Sequence, residues 1–218
     1  MGGILDHVWG VSAGADRVWA QVSGLAPRAA GARLLLALQA FIDDSYDPDG
    51  TFVLGGHIAS AANWAQFSRD WEELLPLAAK DKQGRHRFKM KEMAGSDERM
   101  GNVESFYRVL EKYVLVSLSC KIDRRELRLA RNRIWVPGLS IDWGFLNSPY
   151  KVAFRCLLEM FHNHRDRIQS FIPPDDKIDF FFDRQTESKA ILSAWDDYVA
   201  NRDDGIRHRF GTFPRFER

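Results

Sequence analysis

Residues 34–44 read LLLALQAFIDD, and this stretch decides the fold. Apart from Gln39 it is apolar until two carboxylates close it. A strand with one wet face alternates polar and apolar residues, whereas a nearly unbroken apolar run of strand length suits a central strand covered on both faces. Asp disfavours strand interiors and is rarely buried without a partner. Asp43 and Asp44 are therefore expected where the sheet opens into a crevice. Side chains alternate along a strand, which sends the two carboxylates to opposite faces, and Asp43 is the one expected to serve a site.

Working outward, Asp47-Pro48-Asp49-Gly50 has the residues of a type I turn, with Pro presetting φ at the second position and Gly suited to the fourth. TFVLGGHIA at 51–59 then reads as the partner strand of a hairpin. Ser60 suits a helix cap ahead of a stripe made by Trp64, Phe67, Trp71, Leu74, Leu75 and Ala78. A basic segment, KDKQGRHRFKMKEM, precedes a second amphipathic helix whose buried face is expected to be Val103, Phe106, Tyr107, Leu110 and Tyr113. VLVSLSCKID at 114–123 reads as a strand. The run RRELRLARNRIWVPG is open between a helix and an irregular edge, and Pro137-Gly138 ends it. A long helix is expected from 148 to about 167, with Tyr150, Phe154, Leu157 and Phe161 on one side. Pro173-Pro174 breaks the chain before IDFFFD, a short strand that also ends in a carboxylate, Asp183. Ala190, Ile191, Ala194, Trp195, Tyr198 and Val199 mark a last helix. The sum is an α/β protein, a mixed sheet flanked by helices.

Composition narrows the class without naming a partner. Of 218 residues 45% are hydrophobic, with 15 Phe and 7 Trp, which is ample material for a core and unlike a disordered chain. Residues 1–33, rich in Gly, Ala and Arg, read as an N-terminal extension, and 34–218 as one domain. Lys plus Arg number 31 against 30 for Asp plus Glu, so any polyanionic partner must be met by a local patch. Cys120 and Cys156 allow one bridge at most, which fits a reducing cytoplasm. The longest early apolar run is far below the ~20 residues of a membrane span, and no signal peptide pattern opens the chain. The expected location is cytoplasmic, with no membrane.

Two strands ending in carboxylate, at Asp43-Asp44 and at Asp183, meet at their ends if they are parallel neighbours. Clustered carboxylates repel, and hard divalent cations such as Mg²⁺ or Mn²⁺ are a direct way to hold them together. Two such ions can activate a water and stabilise the leaving oxygen of a phosphodiester. The plainer alternatives are turn chemistry for Asp43 and Asp44 and helix capping for Asp183. Glu92, in FKMKEM, is a further oxygen donor, against the reading of a solvated Lys/Glu loop. The histidines share no metal-ligand spacing. Three basic clusters offer phosphate contacts: one with Lys89 and Lys91, one with Arg124 and Arg125, and one with Arg207 and Arg209 among Phe residues. The competing reading of each is a solvated face. No phosphate loop, GxSxG elbow or HExxH occurs.

The strand ending in Asp-acid-Ser, the Pro/Gly turn, the FVLGG strand and the Trp-rich helix together resemble the bacterial family known as domain of unknown function 3800. Phe88-x-Met90-x-Glu92, the FFFD strand and FGTFPRF at 210–216 are similar to it as well, so the resemblance runs from about residue 36 to the end. It implies an RNase H-like fold, with the acidic pair at Asp43-Asp44, where the second position in the family is usually Glu. It also implies a Gln-x-x-Asp motif near the C-terminus. That tetrad occurs nowhere in the chain, and the expectation is a domain incomplete at its C-terminal end. The function implied is a metal-dependent nuclease acting on phosphodiester bonds, with Asp43 and Asp183 as catalytic metal ligands and Asp44 or Glu92 auxiliary. The alternatives are a non-catalytic nucleic-acid or protein binding module, and an inactive truncated member.

Overall fold

The computed structural model of the chain describes residues 14–15, 38–133, 137, 145–172, 177–182, 188–200 and 215–216. They fall into two compact units. One holds residues 38–58 and the described residues from 116 onward, and the other holds 59–115 with residues 14–15.

The first unit is built on one sheet with the order β3-β2-β1-β4-β5. β1 (Leu38–Tyr46) and β2 (Thr51–Ser60) are neighbours joined by the expected turn, which forces them antiparallel. The Gly50 N–H donates to Asp47 O at 2.9 Å, the Asp47 N–H donates to Thr51 O at 2.9 Å, and Gly50 takes φ +93°. This is a type I turn closed by a left-handed residue, and Gly holds that conformation without a Cβ clash. β3 (Val116–Asp123) pairs antiparallel with β2, from Thr51 opposite Asp123 to Ile58 opposite Val116. β4 (Ile178–Phe182) pairs parallel with β1, and the two-residue β5 (Arg215–Phe216) parallel with β4. The chain is thus α/β with an RNase H-like mixed sheet flanked by helices, as expected.

Alternation decides what each face does. Leu38, Ala40 and Ile42 of β1 lie beside Ile178, Phe180 and Phe182 of β4. On that face Phe154 meets Phe180 and Phe182 edge to face, and Trp195 meets Phe180 at 6.0 Å. On the opposite face Phe41 stacks on Phe181 at 5.1 Å. β4 is buried along its apolar positions on both faces, which explains its unbroken Phe run. α5 (Pro149–Asn163) is capped by Ser148, whose hydroxyl accepts from the Lys151 N–H, and ends at His164 before a short α6 (Arg165–Ile168). The single long helix expected over 148–167 is therefore broken at His164. α7 (Ser188–Ala200) buries Ile191, Ala194, Trp195 and Tyr198.

The ambiguous run after β3 is a helix, α4 (Arg124–Arg133), whose residues are none of them fully buried. Asp123 starts it, with one carboxylate oxygen accepting from the N–H groups of Arg125 at 2.8 Å and Glu126 at 3.0 Å. These bonds hold the Asp123 carboxyl below the usual carboxylate range. Residues 134–136 and 138–144, and the proposed N-terminal extension apart from 14–15, lie outside the described residues.

The second unit is helical. α1 (Ala61–Leu74) is capped by Ser60 as expected, its Oγ accepting from the Asn63 N–H at 3.1 Å. α2 is the single turn Met90–Met93, and α3 spans Asp97–Tyr113. Trp71 packs edge-on to Phe106 and Phe88, and Met93 and Phe106 are fully buried. Asp70 of α1 accepts from Lys112 Nζ at 2.8 Å and from the Tyr113 hydroxyl at 2.7 Å, tying α1 to α3. The expected buried face of α3 is right for Val103 and Phe106. Tyr107 instead is 51% exposed, because it is one residue, about 100° of helix turn, away from Phe106.

Candidate functional site

The parallel pairing of β1 with β4 runs Leu38–Ile178, Gln39–Asp179, Ala40–Phe180, Phe41–Phe181 and Ile42–Phe182. β1 then carries Asp43 and Asp44 as its sixth and seventh residues. Asp43 is exposed, and its Oδ1 accepts from the Asp44 N–H at 2.8 Å. By alternation it shares a face with Phe41. Asp44 is half-buried on the other face, where the Tyr150 hydroxyl at the start of α5 donates to it. Burial, and then this carboxylate, push the Tyr150 hydroxyl well above the usual tyrosine range. Tyr150 also packs against Phe52 at 4.7 Å and Tyr46 at 6.2 Å. The opposite orientation of the two aspartates is as expected.

Asp183, the other half of the expected pair, lies outside the described residues, as do Arg207 and Arg209. Glu92, Lys89 and Lys91 belong to the helical unit, on and beside α2. The two lysines are exposed, and Lys89 takes the extended conformation that precedes the helix. Glu92 is half-buried, with its Oε2 shielded from solvent and accepting no hydrogen bond. Arg124 and Arg125 open α4 in the sheet unit and are exposed. Among the described residues no three His, Cys, Asp or Glu side chains gather into a group able to hold a metal ion. Carboxylate oxygen is nonetheless the donor type that suits a hard cation; Asp43 of the sheet unit is exposed, and separately, in the helical unit, one carboxylate oxygen of Glu92 is shielded from solvent.

Two features go beyond the sequence reading. Tyr150 lies some hundred residues from Asp44, and no local pattern links them. The other is a cleft of about 360 Å³ between the β1–β2 turn, α4 and the turn Phe145–Asn147, lined by Arg124, Arg125, Arg128 and Arg131. Its signal was present in the arginine spacing, since 124, 128 and 131 fall at i, i+4 and i+7 of one helix.

Two of the histidines are held by hydrogen bonds within the fold. His57 Nδ1 and Ser117 Oγ share a hydrogen bond at 2.9 Å, and burial lowers the imidazole below its usual value. His86 bonds the Ala78 carbonyl. No helix among the described residues is long and apolar enough to cross a membrane. No family model matches the chain, and no curated protein matches it.

Proposed function

We propose that the chain is a metal-dependent nuclease-like protein acting on phosphodiester bonds of nucleic acid, within the domain of unknown function 3800 family. The observation that carries this reading is the parallel β1–β4 ladder, with Phe41 stacked on Phe181 and the last pair at Ile42–Phe182. Asp43 and Asp183 follow Ile42 and Phe182 in sequence, two residues after Phe41 and Phe181 respectively. Asp43 and Asp183 would hold Mg²⁺ or Mn²⁺, which when bound supplies water activation and charge stabilisation at the leaving oxygen. Asp44, bonded to Tyr150, anchors the end of β1 and so positions Asp43. Exposed cations, Lys89 and Lys91 in one unit and Arg124 and Arg125 in the other, would contact backbone phosphates, with Arg207 and Arg209 added from the C-terminal cluster.

The test is incubation of the full chain with labelled single- and double-stranded DNA and RNA in Mg²⁺ or Mn²⁺. Cleavage by the wild type that disappears in Asp43→Ala supports the reading. Cleavage that persists in Asp43→Ala sinks it. Binding without cleavage would return the protein to the class of non-catalytic nucleic-acid modules.

A further inference from the structure

α4 carries five arginines in ten residues. At 3.6 residues per turn Arg124, Arg128 and Arg131 form one stripe, their backbone positions stepping roughly 6 and 4.5 Å along the axis, and Arg125 is one turn from Arg128. Like charges at this spacing destabilise a helix unless something answers them. The ion pairs Arg85–Asp81, Arg108–Glu104 and Lys112–Asp70 all lie outside α4. The stripe instead lines the cleft of about 360 Å³, a volume within the range of sites that take small ligands. Asp49 is the one carboxylate on its lining, against four guanidinium groups.

The cleft is built rather than incidental. Asp123 fixes the start of α4, and the Arg124 N–H donates to the Gly50 carbonyl at 3.2 Å, tying the helix to the β1–β2 turn. The Arg124 guanidinium lies 5.8 Å from the centre of the Tyr46 ring, and Arg131 donates to the Asn147 side chain. Two of the four cations are thus oriented by neighbours before any ligand arrives. Tyr46 is itself 50% exposed, leaving ring surface on which an unpaired base can stack. An acidic peptide would satisfy the arginines but has no use for that ring. Tyr46 also stands three residues from Asp43 on the same strand, roughly 10 Å away.

We propose that this cleft is a subsite for single-stranded nucleic acid, in which Arg124, Arg125, Arg128 and Arg131 hold backbone phosphates, while Tyr46, outside the cleft lining and joined to it through Arg124, stacks a base. The proposal rests on the nucleic-acid reading above and extends it by naming the strandedness and the residues that track the chain away from Asp43.

The experiment measures fluorescence anisotropy of labelled oligo-dT and oligo-U with the full chain in EDTA, across a salt series, so that cleavage plays no part. The wild type is expected to bind both, and more tightly than a duplex of the same length. Arg125→Ala/Arg128→Ala should weaken binding at least 10-fold and reduce the log–log salt slope by about 1.4, about 0.7 per phosphate contact on a single strand. Tyr46→Ala should weaken binding about 5-fold or more while leaving the slope unchanged. Arg108→Ala, which removes an exposed cation of the helical unit, should bind as wild type. Should the alanine double variant melt early, Arg125→Lys/Arg128→Lys keeps the charge and should retain the slope, whereas a lost slope there overturns the proposal. Wild-type-like binding by the double variant, preference for duplex, or displacement by polyglutamate as effective as by oligonucleotide also overturns it. The parent reading fails separately, in the Mn²⁺ cleavage assay: cleavage undiminished in the double variant sinks the cleft alone, and cleavage undiminished in Asp43→Ala sinks the nuclease.

Discussion

Ile42 and Phe182 are the last partners of the parallel ladder between β1 and β4. Asp43 and Asp183 follow these partners in sequence, and on the proposed function they share a divalent cation, without which paired carboxylates repel. Asp43→Asn and Asp183→Asn are each expected to weaken Mn²⁺ uptake by more than about 10-fold in calorimetric titration, since even outer-shell changes at metal sites cost that much. Asp44→Asn, on the opposite face, should cost less. Uptake unchanged in Asp43→Asn would leave β1 without a metal role.

The bond from Tyr150 to Asp44 is expected to matter for stability. Tyr150 is 4% exposed, and removing a donor from a carboxylate costs about 1.5–3 kcal/mol, so Tyr150→Phe should lower the melting temperature by several degrees. The sign of the pH dependence follows from the raised hydroxyl. Its protonated form is favoured in the fold, so the contribution is whole below the ordinary value of 10.0 and shrinks at higher pH, where the unfolded chain ionises and the folded one resists. Denaturant melts at pH 8 and pH 11 should therefore diverge for wild type and converge for Tyr150→Phe.

How much of this was legible in the sequence depended on whether the signal was local. The hairpin was, because Asp47, Pro48 and Gly50 each meet a distinct conformational demand within four residues, and the Ser60 cap was for the same reason. β1 and β4 were legible as central strands from their apolar runs, but that they are parallel neighbours in register is a property of the sheet and no residue in either announces it. α4 was ambiguous because its arginines leave little apolar periodicity to read: Leu127 and Leu129 are only half-buried, and what the helix presents is charge. The break at His164 was hidden because Phe161 and Ile168 keep a helical spacing across it. The aspartates at 43 and 44 were visible as residue types, whereas the Tyr150 partner that separates their roles came only with the packing of α5.

Cys120 of β3 and Cys156 of α5 are hydrogen-bonded, with no disulfide between them. Cys156 receives the bond, and that contact, helped by Arg155, lowers its thiol to about 6, while Cys120 is pushed up by the same interaction. Because the thiolate is the nucleophile, Cys156 should alkylate with a pH midpoint well below the ordinary value of 9.0, and Cys120 should remain unmodified over the same range. Cys120→Ala removes the donor and should move the Cys156 midpoint upward by a unit or more. Peptide mapping after timed iodoacetamide exposure between pH 5 and 9 distinguishes the two sulfurs, and equal labelling of both would refute the assignment.

Two glycines should respond to the same substitution in opposite ways. A Cβ on Gly56 would lie 2.2 Å from the Phe41 carbonyl oxygen and 2.9 Å from Ile42 Cγ1, so β2 could carry a side chain there only by moving off β1. Overpacking of this kind costs about 1–3 kcal/mol, and here the obstacle is backbone, which puts Gly56→Ala at the upper end. It should also blunt whatever Asp43 does, since the carboxylate sits one residue beyond Ile42. Gly101, inside α3, meets nothing within 4 Å, and alanine there reduces the freedom of the unfolded helix segment at no steric cost. Gly101→Ala should therefore stabilise by about 0.5–1 kcal/mol. Chemical denaturation of the two variants side by side checks both signs, and a Gly56→Ala protein as stable as wild type would mean that the close approach of β2 to β1 is not what makes glycine necessary at that position.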